Sequence, residues 1–196
     1  MRTYEKVSVR GMENLPAEGP AIFVANHQSY LDIPTIGVAL NEAGLIFKTY
    51  WVIGKDTIRN PYLRSFLTVA PVIVVNGTVK KASWALMNKY FIVVFPEGFY
   101  TWRMHKARRN GTPPPPRVIG HSAAILALKT GCPLIPIGIR GTEEAMPPYS
   151  FFAKPAKLSI TIGEPFRFEP PEPEQVTEEL IAEKSNFIIQ RIDALR

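Results

Sequence analysis

A single cysteine, Cys132, in 196 residues excludes an internal disulfide framework and leaves no cysteine cluster for a structural zinc site. A reduced, cytoplasmic setting follows, and Cys132 itself, between Gly131 and Pro133, reads as a buried inert thiol. Long apolar runs are missing too. The longest uncharged apolar stretch, Ser65 to Thr78, is interrupted by Pro71 and Asn76 and is too short to cross about 30 Å of hydrocarbon as a helix, so no transmembrane span is expected. Met1 to Pro16 mixes charged and apolar residues and lacks the apolar core of a signal peptide, which predicts a chain that is not exported. No internal repeat is visible, and no Gly-x-Ser-x-Gly nucleophile elbow occurs, which removes the commonest kind of serine hydrolase.

What is present fits one globular core. Hydrophobic residues at 46% and charged residues at 20% exclude wholesale disorder, and the length suits one domain over 1–196. The net charge of +6 favours anionic partners such as phospholipid headgroups, nucleic acid or the phosphates of coenzyme A. Short apolar runs rich in β-branched residues predict strands at Ala21 to Ala25, Leu45 to Ile53, Val69 to Val75, Tyr90 to Phe95, Pro133 to Ile139 and Leu158 to Ile162. Between them, Ile33 to Ala43, Pro61 to Leu67, Val79 to Asn88 and Ser122 to Thr130 read as helices, the last stopped by Gly131. Helical spacing of Val176, Leu180, Ile181, Phe187, Ile188, Ile192 and Leu195 predicts a docked C-terminal helix within 174–196. The alternation argues for an α/β domain with a mainly parallel central sheet flanked by helices, in which sites form where strands turn into helices.

One such junction carries Asn26-His27-Gln28-Ser29-Tyr30-Leu31-Asp32. An imidazole and a carboxylate five positions apart across a turn can meet, and the pair suits removal of a proton from an alcohol, with the carboxylate fixing the ring's tautomer. The competing structural reading is a helix start, with Ser29 and Asp32 in a capping box or Asp32 alone as an N-cap ahead of Pro34. A second junction, Phe95-Pro96-Glu97-Gly98, puts a carboxylate at the mouth of another predicted strand. Glu97 there is either an acceptor for substrate hydroxyls or a solvated turn residue.

These two motifs, followed by Gly120-His121-Ser122-Ala123-Ala124, Pro133-Leu134-Ile135-Pro136-Ile137 and Arg140-Gly141-Thr142, resemble the glycerolipid acyltransferase family typified by lysophosphatidate acyltransferases, over roughly Leu15 to Thr142. The resemblance implies metal-free transfer of a fatty acyl group, with no bound cofactor, from acyl-CoA or acyl carrier protein to a lyso-lipid hydroxyl. His27 would be the general base and Asp32 its orienting carboxylate. On the acceptor side it implies Glu97 and Gly98, and the reading adds Asn26, Ser29 and Arg103. Ile135, Pro136 and Ile137 fall on the acyl-donor side. Two departures stand out: where the family carries phosphate-binding arginines, this chain has Asn76 and, after the Pro-Glu-Gly, Phe99 and Tyr100. Losing two such contacts favours a lyso-lipid other than lysophosphatidate, unless Arg103, Lys106, Arg108, Arg109 or Arg117 compensates.

The segment 99–117, basic and then proline-rich, reads as an exposed loop whose cations and Trp102 suit the cytoplasmic face of an anionic membrane. No nucleic-acid-binding signature accompanies the charge, so no nucleic acid partner is expected. His105 and His121 have no carboxylate at a comparable spacing and are assigned no chemistry. Two alternatives stay open: a thioester or ester hydrolase using the same dyad, and an inactive lipid-binding protein on an enzyme fold.

Overall fold

The computed structural model describes residues 7–54, 71–74, 78–98, 100–148, 150 and 152–196. Among them seven strands form one sheet: β1 Ser8–Arg10, β2 Ala21–Ala25, β3 Thr49–Ile53, β4 Val72–Val74, β5 Phe91–Val94, β6 Leu134–Arg140 and β7 Ser159–Ile162. Their order across the sheet is β1-β7-β6-β2-β5-β3-β4, and all neighbours are parallel except the antiparallel pair β6 and β7. Six helices are described: α1 Asp32–Glu42, α2 Thr78–Met87, α3 Tyr100–Asn110, α4 Ser122–Thr130, α5 Thr142–Ala145 and α6 Glu178–Asp193. None of the described helices is long and apolar enough to cross a membrane.

The central strand β2 is buried along its whole length, which is why its five residues are all small or apolar. Pleating sends alternate side chains to opposite faces. Ile22, Val24, Ile92 and Val94 join Ala85 and Leu86 of α2, Leu126 of α4 and Ile188 and Ile192 of α6 on one side. Phe23, Ala25, Phe91 and Val93 join Ile33, Ile36 and Leu40 of α1 on the other. Each such branched or aromatic side chain contributes on the order of 1.5–3 kcal/mol when fully buried. Cys132 lies inside the first cluster, as its apolar neighbours implied.

The layered, mainly parallel architecture is the one the alternating pattern predicts. β2 and α4 have the expected bounds, Gly131 adopts the left-handed φ of +63° that ends α4, and α6 docks as expected. The predicted strand from Leu45 opens instead with a 3-10 turn, Ile46–Lys48, and β1 was not foreseen. The predicted helix from Pro61 to Leu67 and the position Asn76 lie outside the described residues.

One expectation is overturned. The segment 99–117 is not a loop throughout, because Tyr100–Asn110 is the helix α3. Its Trp102 is 4% exposed, so the indole that was to insert into a membrane is packed inside the protein. The physical cause is a set of ring contacts with residues some seventy positions earlier, which outweigh the segment's polar composition.

Candidate active site

Because β6, β2 and β5 are adjacent and parallel, their C-terminal ends deliver three loops to one edge of the sheet. The loop after β2 brings His27 and Asp32, the loop after β5 brings Glu97, and the loop after β6 brings Thr142. They meet at a cleft of about 570 Å³ lined by His27, Phe95, Glu97, Gly98 and Arg103 with apolar neighbours from β3 and α1.

His27 and Asp32 form the pair their spacing predicted: Nδ1 of the ring stands 2.8 Å from Oδ2 of the carboxylate. Asp32 opens α1 but is not its N-cap, which is Leu31. Its carboxylate turns back, accepting from the backbone N–H of Gln28 at 2.6 Å and of Ser29 at 2.8 Å. The second oxygen accepts from the hydroxyl of Thr142 at 2.5 Å. The carboxylate is fully buried, and three donors together with the ring of His27, from two loops, fix its plane. The histidine ring is itself stacked on Phe95, with centroids 4.4 Å apart, and tilted against Trp102 at 4.6 Å. Trp102 in turn meets Tyr30 edge-on at 5.1 Å. The hydroxyl of Thr101 donates to the carbonyl of His27 at 2.9 Å, so α3 holds both the backbone and the ring. With Nδ1 on Asp32, the ring of His27 borders the cleft.

Glu97 borders the cleft yet is 4% exposed. Its Oε2 accepts from the backbone N–H of His27 at 3.3 Å, and its Oε1 accepts from Nε and Nη2 of Arg117 at 2.9 and 2.6 Å. Arg117 also donates to both oxygens of Asp193, at 2.8 and 3.1 Å, near the end of α6. Hydrogen bonding to Asp193, reinforced by Glu97, holds the guanidinium above its ordinary range despite partial burial. Arg117, and secondarily Arg196, hold the carboxyl of Asp193 below the usual carboxylate range.

The other predicted residues divide. Gly98 and Arg103 line the cleft; Asn26, Ser29, Ile135, Pro136 and Ile137 do not. Asn26 is fully buried and clasps both backbone groups of Ile139, donating to its carbonyl at 3.0 Å and accepting from its N–H at 2.7 Å. Ser29 is fully buried and donates to the carbonyl of Met146 at 2.7 Å. Ile135 and Ile137 point into the core beneath α1. His105, for which no carboxylate was found, pairs with Glu143 at the start of α5, and His121 pairs with Ser185 at 2.9 Å. Thr142 and Thr101 escaped assignment to the site because their partners are 110 and 74 positions away, and Arg117, considered as a headgroup cation, instead bonds Glu97 and Asp193. Among the described residues no group of three or more His, Cys, Asp or Glu side chains could hold a metal ion.

A family model described as Acyltransferase matches residues 6–140. The chain is similar to a chloroplastic 1-acyl-sn-glycerol-3-phosphate acyltransferase of Arabidopsis thaliana, 30% identical over 151 residues, covering 74% of this chain and 38% of that protein. It is also similar to the 1-acyl-sn-glycerol-3-phosphate acyltransferase of Bacillus subtilis, 23% identical over 165 residues, covering 81% of this chain and 73% of that one. The chain thus spans about two fifths of the length of the chloroplast relatives it matches. Among solved structures, the 1-acyl-sn-glycerophosphate acyltransferase PlsC of Thermotoga maritima superposes with a TM-score of 0.67 at 25% identity, covering 98% of this chain and 73% of that chain.

Proposed function

The chain belongs to the acyltransferase family whose model spans most of it, and from that premise we propose that it moves a fatty acyl group from a thioester to a hydroxyl of a lyso-lipid. The observation that carries the reading is the buried contact of 2.8 Å between His27 and Asp32 beside an open cleft. In this mechanism the Nδ1–H of His27 donates to Asp32, so Nε2 is unprotonated and accepts the proton of the acceptor hydroxyl. The hydroxyl oxygen attacks the thioester carbonyl carbon as its O–H bond breaks. The tetrahedral intermediate then collapses, the carbon–sulfur bond breaks, and the leaving thiolate recovers the proton from the imidazolium. Asp32, with its three other donors, balances the ring's transient positive charge without moving. Negative charge on the thioester oxygen is met in this reading by backbone N–H groups of the first turn of α3, which borders the cleft through Arg103, other than that of Tyr100, which bonds the carbonyl of Glu97 at 3.1 Å.

In the same reading Asn26 and Ser29 act as supports of the loop geometry rather than as contacts to the acceptor. Glu97 holds the main chain of His27 in place and presents its edge to the acceptor at the rim. The relatives' names favour an acceptor of the 1-acylglycerol-3-phosphate kind. Tyr100 stands where the family places a cation, and Arg103, one helical turn further and on the cleft, supplies the charge a headgroup phosphate needs. The donor is acyl-CoA or acyl carrier protein, and the exposed cations of α3 beside the cleft suit work at an anionic bilayer surface.

Mass analysis of lipid products tests this. Purified protein is incubated with acyl-CoA or acyl carrier protein and a panel of lyso-lipids. The expected result is a diacyl product, with Arg103→Gln raising KM most for phosphomonoester acceptors. Thioester loss that proceeds equally well without any lipid acceptor makes the protein a hydrolase, and absence of turnover with every pair makes it a binding protein.

A further inference from the structure

A second pocket, of about 330 Å³, opens at the other end of the sheet, where β1, β7 and β6 run side by side. The register builds its floor. Ser8, Ser159 and Arg140 are cross-strand partners in one row, and Arg10 and Thr161 in the next row sit two residues along. Residues two apart on a strand share a face, so two guanidiniums and three hydroxyls project to the same side. The arginines lie two strands apart, roughly 10 Å across the sheet, a span their side chains can close from both ends.

The wall comes from the C-terminal turn after α6. Opposite Thr161 stands Gly138, and a Cβ there would fall 2.6 Å from atoms of Leu195. Only glycine lets that turn descend onto the sheet and make the face concave. No acidic residue lines the pocket, and neither Arg10 nor Arg140 is among the ion pairs of the described residues. Elsewhere Arg117 and Arg196 both find carboxylates, so two arginines facing one concavity with only hydroxyls between them call for an anion from outside.

We propose that this pocket is a second binding site, which takes a phosphate ester group. Guanidiniums give paired, charge-assisted hydrogen bonds to phosphate oxygens, and serine and threonine hydroxyls complete the oxygen shell. The pocket's volume matches a small headgroup rather than an acyl chain. Two sources offer that chemistry: the phosphates of the coenzyme A portion of a thioester donor, and the headgroup of a bilayer phospholipid. Occupancy communicates with the cleft through β6, since Arg140 directly follows Ile139, which Asn26 clasps, and closely precedes Thr142, which bonds Asp32. The site goes beyond the proposed chemistry and does not depend on it.

Binding without turnover tests it. Coenzyme A is titrated by calorimetry, and phosphatidylglycerol vesicles by co-sedimentation, into the full chain and its Arg10→Gln, Arg140→Gln and doubly substituted variants. Lys129→Gln, an exposed charge loss on α4, is the control, and melting curves verify folding. Each arginine variant is expected to weaken one of the two ligands about tenfold or more, the double variant further, and the control less than twofold. Loss confined to coenzyme A assigns the site to the donor, and loss confined to vesicles assigns it to the bilayer. Unchanged affinity for both ligands in the double variant, or no binding of either by the unsubstituted chain, overturns the proposal. The readout is binding and not turnover, so a failed catalytic reading leaves this result intact.

Discussion

His27 and His105 each meet a carboxylate, and the surroundings of the two pairs differ at every other point. The side chains of His27 and Asp32 are 7% and 0% exposed, whereas those of His105 and Glu143 are 24% and 39% exposed. Asp32 also takes hydrogen bonds from two backbone N–H groups and the hydroxyl of Thr142. His27 is pressed between Phe95 and Trp102 at the cleft. His105 lies further along α3 and lines no described pocket. Proximity of imidazole and carboxylate is therefore a weak criterion. What sets one pair apart is a carboxylate immobilised by several donors, a ring held against Phe95 and Trp102, and a place on the lining of the cleft.

The comparison can be broken from either side, and the largest effect is expected at Asp32. Asp32→Asn exchanges an acceptor for an amide, so the ring loses the partner that fixes its tautomer. Transfer should fall about 100-fold or more in an initial-rate assay with thioester and lyso-lipid. A change of only a few fold would put His27 and His105 on the same footing. Next in size is Thr142→Val, which removes a buried donor to Asp32 and keeps the shape. It should lower stability by about 1.5–3 kcal/mol in urea denaturation, since the lost bond is to a charged group. Glu143→Gln, by contrast, should cost less than about 1 kcal/mol and leave the rate within a few fold, as expected of a half-exposed pair.

The smallest effect concerns the clamp between Arg117 and Asp193. The folded-state pKa of Asp193 is lowered, chiefly by the hydrogen bond from Arg117. Its contribution to stability is therefore complete above the ordinary aspartate value, near pH ~4, and is lost as pH falls through the lowered value. Denaturation of the unsubstituted chain and of Asp193→Asn should differ at pH 6 and converge as the pH falls below the ordinary aspartate value. A gap that persists in acid would show that Asp193 acts through packing alone.

The fold and the heart of the site could be read from local pattern because their determinants are local. The apolar run Ala21 to Ala25 and the stop at Gly131 set β2 and the end of α4 without help from distant residues. His27 and Asp32 are five positions apart, close enough for one turn to join them. The helix α3 was missed because Trp102 and Ala107 are its only buried side chains and basic residues crowd the rest. A stop signal was nonetheless present: Gly111 at φ +64°, with Thr112 N–H bonding back to the carbonyl of Ala107 at 3.0 Å and Pro113 following, is how a helix ends. No local pattern contains the bond from Thr142 to Asp32, because strand order decides that their loops become neighbours, or the pairing of Glu97 with Arg117, which needs the connection after β5 to fold back over α3.

The central claim is most directly tested by making His27→Ala and His105→Ala side by side and quantifying the diacyl lipid formed from a thioester and a lyso-lipid. With both variants melting like the parent, the account predicts a loss of about 100-fold or more at His27 and a change within a few fold at His105. Equal product from the His27 variant and the parent would contradict it.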